Sequence, residues 1–127
     1  MSFSIILAVA IGGAIGSMMR YGVNVFAGQI LPQNFPWGTI IVNIAGSLAI
    51  GLIIELSALR WNLALPAQAF LITGILGGFT TFSAFSLDAI LLLQRGQTVY
   101  AVTYASGSVG LSLLAAMAGI WMVRQWA

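Results

Sequence analysis

Four apolar segments separated by short polar turns constrain this chain more than any other feature. A helix that spans a lipid bilayer needs about 20 consecutive, mostly apolar residues. Four segments meet that requirement, at about residues 3–29, 37–59, 66–93 and 99–123. The turns between them are too short to build a soluble domain. The pattern therefore predicts an all-α membrane protein with four transmembrane helices, in which residues 1–127 form a single integral membrane domain.

The composition leaves little chemistry for an enzyme. Hydrophobic residues make up 61% of the chain and charged residues 5%, whereas water-soluble domains carry about 25% charged residues. The chain has no cysteine and no histidine, and Glu55 and Asp88 are its two carboxylates. A cysteine nucleophile is therefore missing, and so is histidine, the commonest general base and metal ligand. The net charge of +2 is too small to indicate nucleic-acid binding. We expect a non-enzymatic function inside the membrane.

The arginines are almost balanced across the membrane. Four spans place both termini on one side, together with Arg60 and Arg124, while Arg95 lies on the other side. Arg20 joins Arg95 if its long side chain reaches that surface. Arginines and lysines near the ends of spans set membrane orientation, so this count barely specifies one. Either other forces set the orientation or the protein inserts both ways, and insertion both ways would permit an antiparallel homodimer.

The third segment contains the stretch GILGGFTTFSAFS at residues 74–86, which suits a continuous helix poorly. Each glycine weakens a helix by about 1 kcal/mol relative to alanine, and threonine is a favourable N-cap. We therefore expect two half-helices, with a break near residues 77–80 and a restart near Thr80 or Thr81. The alternative is a continuous helix with a face of tightly packed small residues. A break would expose carbonyl groups to a cation and a helix N-terminus to an anion.

Aromatic and amide side chains beside that stretch are candidates for an ion path. Phe82 and Phe85 share one helix face, and the positive edges of their rings could line an anion path, although such pairs are more often core or lipid contacts. Asn43 lies in the middle of the second segment. A buried amide is costly in a bilayer unless it is hydrogen-bonded. Asn43 therefore either bonds one helix to another or donates to a permeant anion.

The fourth segment carries a stripe of hydroxyl groups at steps of four residues: Tyr100, Tyr104, Ser108 and Ser112. Such a stripe either lines a hydrated path or bonds back to the carbonyls of its own helix. Two charged residues also lie inside the predicted spans, and such residues find partners or water. We expect Arg20 either to attract anions into a vestibule or to pair with Asp88 or Glu55.

Three motifs stand out in the first three segments: GGAIGSMMRY at residues 12–21, NIAGS at residues 43–47 and GILGGFTTFSAF at residues 74–85. Together they resemble the Fluc (CrcB) family of small bacterial fluoride channels. They stand in the family's order, and the resemblance covers the whole chain. It implies an antiparallel, dual-topology homodimer in the bacterial inner membrane, with two pores that are each lined by both subunits. Passive export of fluoride would lower the fluoride concentration of the cytoplasm.

The same resemblance implies roles for individual residues. The backbone carbonyls of Gly77 and Thr80 from each subunit would hold a structural Na⁺ ion at the centre of the dimer. The implied anion pathway consists of Asn43, Thr81, Phe82, Ser83, Phe85, Tyr104, Ser108, Ser112 and Arg20. Asp88 stands where the family often has glutamate, which keeps the charge, and Ala84 replaces a common threonine.

Two other classes of membrane protein remain as alternatives. A small multidrug exporter that is coupled to protons would share the length, the four spans and the dual topology. It needs a carboxylate embedded in the membrane, typically in its first span, and the first span here has none. Glu55, near one end of the second segment, is a weak substitute. A membrane scaffold would need the packing glycines, but it gives no reason for the stretch at residues 77–81.

Overall fold

The computed structural model describes residues 1–126, and the regular structure in that range is helical. Four helical stretches are long and apolar enough to cross a membrane, which confirms the predicted all-α class and the number of spans. We call them the first to fourth spans, and they cover Phe3–Ile30, Trp37–Trp61, Leu65–Gln94 and Thr98–Trp126. Their ends lie within about one helical turn of the predicted ends.

Six α-helices and two π-helical segments build these spans. The first span is α1 (Phe3–Ile30), and the second is α2 (Trp37–Leu56) followed by a π-helical turn. The third span begins with α3 (Leu65–Gln68) and a π-helical segment. It continues as α4 (Gly77–Phe79) and α5 (Phe82–Gln94), and the fourth span is α6 (Thr98–Trp126). The π-helical segments are Ser57–Trp61 and Ala69–Leu76.

Residues that tolerate the left-handed conformation end two of the spans. Asn62 has a φ of 47° and follows the π-helical turn of the second span. Gly96 has a φ of 77° and follows α5. Asparagine and glycine adopt positive φ more readily than other residues do. These positions therefore stop the helices and turn the chain back towards the membrane.

The first and third spans pack backbone against backbone. A Cβ atom added at Gly12 would lie 2.5 Å from the carbonyl oxygen of Phe70, and one added at Gly78 would lie 2.6 Å from the carbonyl oxygen of Gly13. An added Cβ at Gly16 would overlap the carbonyl oxygen of Ile75. Small residues allow helices in a membrane to approach this closely. The second and fourth spans make a similar contact through Gly51 and Gly119.

The interior of the subunit is small, and its outside is apolar. Tyr104 and Val42 are the largest fully buried side chains among the described residues. Many large apolar side chains lie exposed instead, including Phe3, Leu113 and Trp121. Contiguous apolar surface of this extent is unfavourable in water. The distribution is that of a protein whose outer surface faces lipid or other apolar partners.

Candidate functional site

The backbone leaves the helical conformation at two threonines in the third span. Helix α4 ends at Phe79 and α5 begins at Phe82, while Thr80 (φ −85°, ψ 159°) and Thr81 (φ −153°, ψ 120°) are extended. Thr81 Oγ1 accepts the N–H of Ala84 at 3.1 Å and so caps α5. Thr80 Oγ1 donates to the carbonyl oxygen of Leu76 at 2.8 Å. The threonine side chains thus supply hydrogen bonds to helix ends on both sides of this turn.

Asn43 binds the main chain of Thr81 with both ends of its amide. Its Oδ1 accepts the Thr81 N–H at 2.8 Å, and its Nδ2 donates to the Thr81 carbonyl oxygen at 3.0 Å. An extended residue between apolar spans needs such partners because lipid offers none. Of the two roles expected for Asn43, the structure shows the bond between helices. A carboxamide nitrogen carries two hydrogens, so one remains for another acceptor.

Diverted hydrogen bonds leave specific backbone carbonyls without their helical donors. In a continuous α-helix the N–H of Thr81 would donate to the carbonyl of Gly77, and that of Ala84 to Thr80. Here these N–H groups donate to Asn43 Oδ1 and to Thr81 Oγ1 instead. The turn separates the carbonyls of Gly78 and Phe79 from their helical donors as well. Among the carbonyls released here, the family resemblance selects those of Gly77 and Thr80 as cation ligands.

Arg20 binds the backbone of the third span rather than a carboxylate. Its Nε donates to the carbonyl oxygen of Gly78 at 2.9 Å in a partly buried position. Glu55 accepts instead from Arg124 Nε at 2.9 Å. Asp88 Oδ2 accepts the hydroxyl of Tyr104 at 3.1 Å. Within residues 1–126, neither of the pairings considered for Arg20 is formed.

A groove of about 240 Å³ opens beside Thr80 and Thr81. Phe82 and Phe85 lie 5.6 Å apart between ring centroids with their planes tilted by 51°, and Phe82 is 78% exposed. The groove brings together six of the residues expected on the anion pathway, namely Asn43, Thr81, Phe82, Phe85, Ser108 and Ser112. Its other lining residues are Ser47, Thr80 and Val109.

Two serines of the fourth span lie in this groove with unused hydroxyl groups. The Oγ atoms of Ser108 and Ser112 are buried and have no hydrogen-bond partner within residues 1–126. The alternative in which these serines bond back to their own helix is therefore not adopted. An unpaired buried hydroxyl costs about 1–3 kcal/mol. Both serines are consequently available to a water molecule or an ion in the groove.

The remaining pathway candidates lie outside the groove lining. Tyr104 is fully buried between Phe35 and Phe85, with ring centroids 5.5 Å and 5.3 Å away. Its partner Asp88 lines two separate cavities near the end of α5, of about 250 and 170 Å³. Ser83 Oγ lies 3.3 Å from Thr81 Oγ1.

Gly77 lines a neighbouring cavity of about 200 Å³, which shares Ser47 and Thr80 with the groove. Ser47 and Val109 were not assigned to the pathway from the sequence, although both line the groove. The position of Ser47, one helical turn after Asn43, is the signal that could have identified it. Val109 is apolar and carries no such signal.

Fold and groove define a multi-pass membrane protein with a small groove between its spans, which amide and hydroxyl groups share with phenylalanine rings. Residues 7–120 match the protein family described as "CrcB-like protein, Camphor Resistance (CrcB)". The chain therefore belongs to the CrcB family, as the three motifs indicated.

Similar proteins carry the names of ion channels rather than enzymes. The chain is 52% identical over 124 residues to "Fluoride-specific ion channel FluC 1" of Nitrobacter hamburgensis, an alignment that covers 98% of each chain. It is 51% identical over 124 residues, again 98% of each chain, to "Fluoride-specific ion channel FluC" of Nitrobacter winogradskyi. A protein of the latter name from Rhizobium leguminosarum bv. trifolii is 52% identical over 118 residues, which are 93% of this chain and 94% of the relative.

Proposed function

We propose that this chain is a fluoride-selective channel subunit that lets fluoride leave the cytoplasm passively across the bacterial inner membrane. The observation that carries the proposal is the groove, where an amide, two phenylalanine rings and two unpaired hydroxyls converge. Relatives about half identical over nearly the whole chain bear the name of fluoride-specific ion channels, which supports the same conclusion.

The chemistry of the groove suits a small, strongly hydrated anion. A pore must replace much of the hydration of such an ion, and it must still bind the ion weakly enough to release it. The lining residues of the groove, all within the described part of the chain, are neutral. Neutral N–H and O–H groups and aromatic edges offer positive partial charge without a full cation. The guanidinium of Arg20, a full cation that would bind an anion more strongly, donates to the carbonyl of Gly78.

A second copy of the chain would complete each pore. The groove is open on one side, and the ring of Phe82 is 78% exposed next to buried hydroxyls. In an antiparallel homodimer each subunit would cover the groove of the other, which would give two pores that are each lined by both subunits. The nearly balanced arginines support insertion in both orientations.

The orientation can be tested with a single cysteine engineered at the C-terminus of the otherwise cysteine-free chain. An impermeant thiol reagent added to intact cells should label about half of the protein if both orientations coexist. Labelling of all copies, or of none, would contradict dual topology.

The turn at Thr80 and Thr81 is proposed to be a break in the third span within the membrane, of the kind that transport proteins use to bind ions. The released carbonyls of Gly77 and Thr80 are oxygen ligands, which hard cations such as Na⁺ prefer. Gly77 is exposed, and its backbone can be approached from outside the subunit. A Na⁺ ion bound by these carbonyls from two subunits would hold the dimer together.

No structural observation favours the alternative of an exporter coupled to protons. Glu55 pairs with Arg124 near the end of the second span rather than facing the groove. The first span carries no carboxylate.

Fluoride efflux from liposomes that contain the purified protein tests the proposed function. The membrane potential is clamped with valinomycin, and fluoride and chloride are followed with ion-selective electrodes. We expect rapid fluoride efflux without chloride release. Efflux no faster than that from protein-free liposomes would contradict the proposal, and equal efflux of both anions would contradict its selectivity.

A further inference from the structure

Arg20 connects the first span to the turn in the third span. It lies within α1, its side chain is partly buried, and its Nε donates to the carbonyl oxygen of Gly78 at 2.9 Å. Gly78 stands between Gly77 and Phe79 at the end of the first half of the third span. A charged side chain that is drawn into a bilayer protein needs a specific partner. In the described part of this chain, that partner is a main-chain carbonyl.

The backbone of the first span also packs closely against Gly78. A Cβ atom at Gly78 would lie 2.6 Å from the carbonyl oxygen of Gly13 and 3.0 Å from the backbone nitrogen of Ser17. The peptide unit of Gly78 is thus pressed against α1 and hydrogen-bonded by a residue of α1. Both contacts come from the same rigid helix.

Without Arg20, the Gly78 carbonyl would be a free acceptor like those of Gly77, Phe79 and Thr80. Its helical donor would be the N–H of Phe82, the first residue of α5, from which the extended Thr80 and Thr81 separate it. Arg20 supplies the missing donor. The bond restrains the peptide unit of Gly78 and Phe79, and the next unit towards the N-terminus carries the carbonyl of Gly77. The carbonyl of Thr80 belongs instead to the peptide unit whose N–H donates to Asn43.

We infer that Arg20 is a positioning residue, whose bond to Gly78 fixes the direction of the adjacent Gly77 carbonyl as a cation ligand. This inference rests on the proposed function, because it assigns Arg20 to the Na⁺ site of the channel. Groups that orient metal ligands without touching the metal commonly change its affinity by about 10–100-fold. Arg20 then acts on the cation through the backbone, in addition to any attraction that its charge exerts on anions.

The inference is tested by the unfolding temperature of the purified protein in detergent, titrated with NaCl at constant ionic strength against choline chloride. We expect Na⁺ to raise the unfolding temperature of the wild-type protein. Arg20→Met should weaken the apparent Na⁺ affinity by about tenfold or more. Arg20→Lys keeps the charge but places its nitrogen one bond further out, so it should weaken the affinity less.

Arg95→Met is the matched control, because it removes the same charge from an exposed residue at the end of α5. It should leave the apparent Na⁺ affinity unchanged. Wild-type or tighter Na⁺ affinity in Arg20→Met would overturn the inference, since tighter binding would show that Arg20 acts only by repelling the cation. If Arg20→Met does not fold, wild-type affinity in Arg20→Lys would overturn it equally.

Fluoride efflux measured on the same preparations separates this inference from the proposed function. Stabilisation by Na⁺ that depends on Arg20, in a wild-type protein that releases no fluoride, would support the positioning role and contradict the channel. Rapid fluoride efflux from a wild-type protein that Na⁺ does not stabilise more than choline would contradict the positioning role and leave the channel standing.

Discussion

The two faces of the third span differ in almost every physical respect. Towards the first span, glycine meets backbone, and added Cβ atoms at Gly12 and Gly78 would stand 2.5–2.6 Å from carbonyl oxygens. Towards the second and fourth spans, a groove of about 240 Å³ holds the unpaired hydroxyls of Ser108 and Ser112. Close packing on one face can hold an irregular backbone in place, which leaves the other face free to present polar groups to an ion.

The largest effect is expected from Gly16→Ala, which adds a methyl group to the tight contact between the first and third spans. The new Cβ would overlap the carbonyl oxygen of Ile75 and lie 2.9 Å from the backbone nitrogen of Phe79. Overpacked side chains cost about 1–3 kcal/mol, and main-chain atoms cannot rotate away as side chains do. We expect little or no monodisperse protein by size-exclusion chromatography in detergent.

Gly13→Ala is the control for this substitution, since the two glycines lie one turn apart on the same helix. An added Cβ at Gly13 meets no atom within 4 Å. Replacing a helical glycine with alanine where space allows stabilises by up to about 1 kcal/mol. An equal loss of folded protein from both substitutions would show that the tight face is not what the fold depends on.

Asn43→Ala should have the next largest effect, because it removes both hydrogen bonds to Thr81. Each backbone group left unpaired in an apolar setting costs about 1–3 kcal/mol. We expect a lower unfolding temperature and loss of fluoride efflux from liposomes. Ser47→Ala is the matched control one turn away, since it changes the groove lining without touching the main chain of Thr81. If both variants lose efflux equally and keep their stability, the amide acts only as a lining group.

Phe82→Ile directly tests the side of the third span that lines the groove. The ring is 78% exposed, so its loss should change the unfolding temperature little. Fluoride efflux should fall, by about tenfold if the ring edge lowers the barrier by about 1.4 kcal/mol. Phe26→Ile removes another exposed ring, from the first span, and should leave efflux unchanged. Normal efflux from a Phe82→Ile protein with normal elution volume would exclude the role given to that ring.

The two faces also mark how far the sequence could predict the structure. The length of the apolar segments was enough to predict the four spans, because the thickness of the bilayer sets the length of a spanning helix. The caps of Thr80 and Thr81 follow from local chemistry. The partner of Arg20 could not be found this way, because every residue has a carbonyl and only tertiary packing brings that of Gly78 within reach. Of the hydroxyl stripe, Ser108 and Ser112 line the groove and Tyr104 does not, since steps of four residues drift by about 40° each around a helix.

That drift explains why the side chain of Tyr104 and those of the two serines point into different parts of the structure. Tyr104 turns into the core and donates to Asp88, while Ser108 and Ser112 turn towards the groove. A sequence pattern shows that residues share a side of a helix, but it does not show where the neighbouring helix ends and a cavity begins. The third span supplies that boundary, through the rings of Phe82 and Phe85.

Ser108→Ala should have a smaller effect, confined to transport. The hydroxyl has no partner within residues 1–126, so its removal relieves an unpaired polar group and should leave the unfolding temperature unchanged or higher. Fluoride efflux should fall several-fold, because the ion loses one donor. Ser106→Ala, on the exposed side of the same helix, should change neither quantity. A clear drop in stability for Ser108→Ala would mean that the hydroxyl is bonded after all.

Glu55→Gln should have the smallest effect of all, although it breaks the ion pair with Arg124. The Arg124 side chain is 64% exposed, and exposed pairs contribute about 0–1 kcal/mol and weaken in salt. Glutamine keeps an oxygen that can accept from Arg124. Unfolding temperature and fluoride efflux should both match the wild type. An exporter coupled to protons would need this carboxylate, because the first span supplies none. Abolished transport in a well-folded Glu55→Gln protein would therefore contradict the channel proposal. It would place the residue that transport requires at the end of the second span and leave the groove without a role in transport.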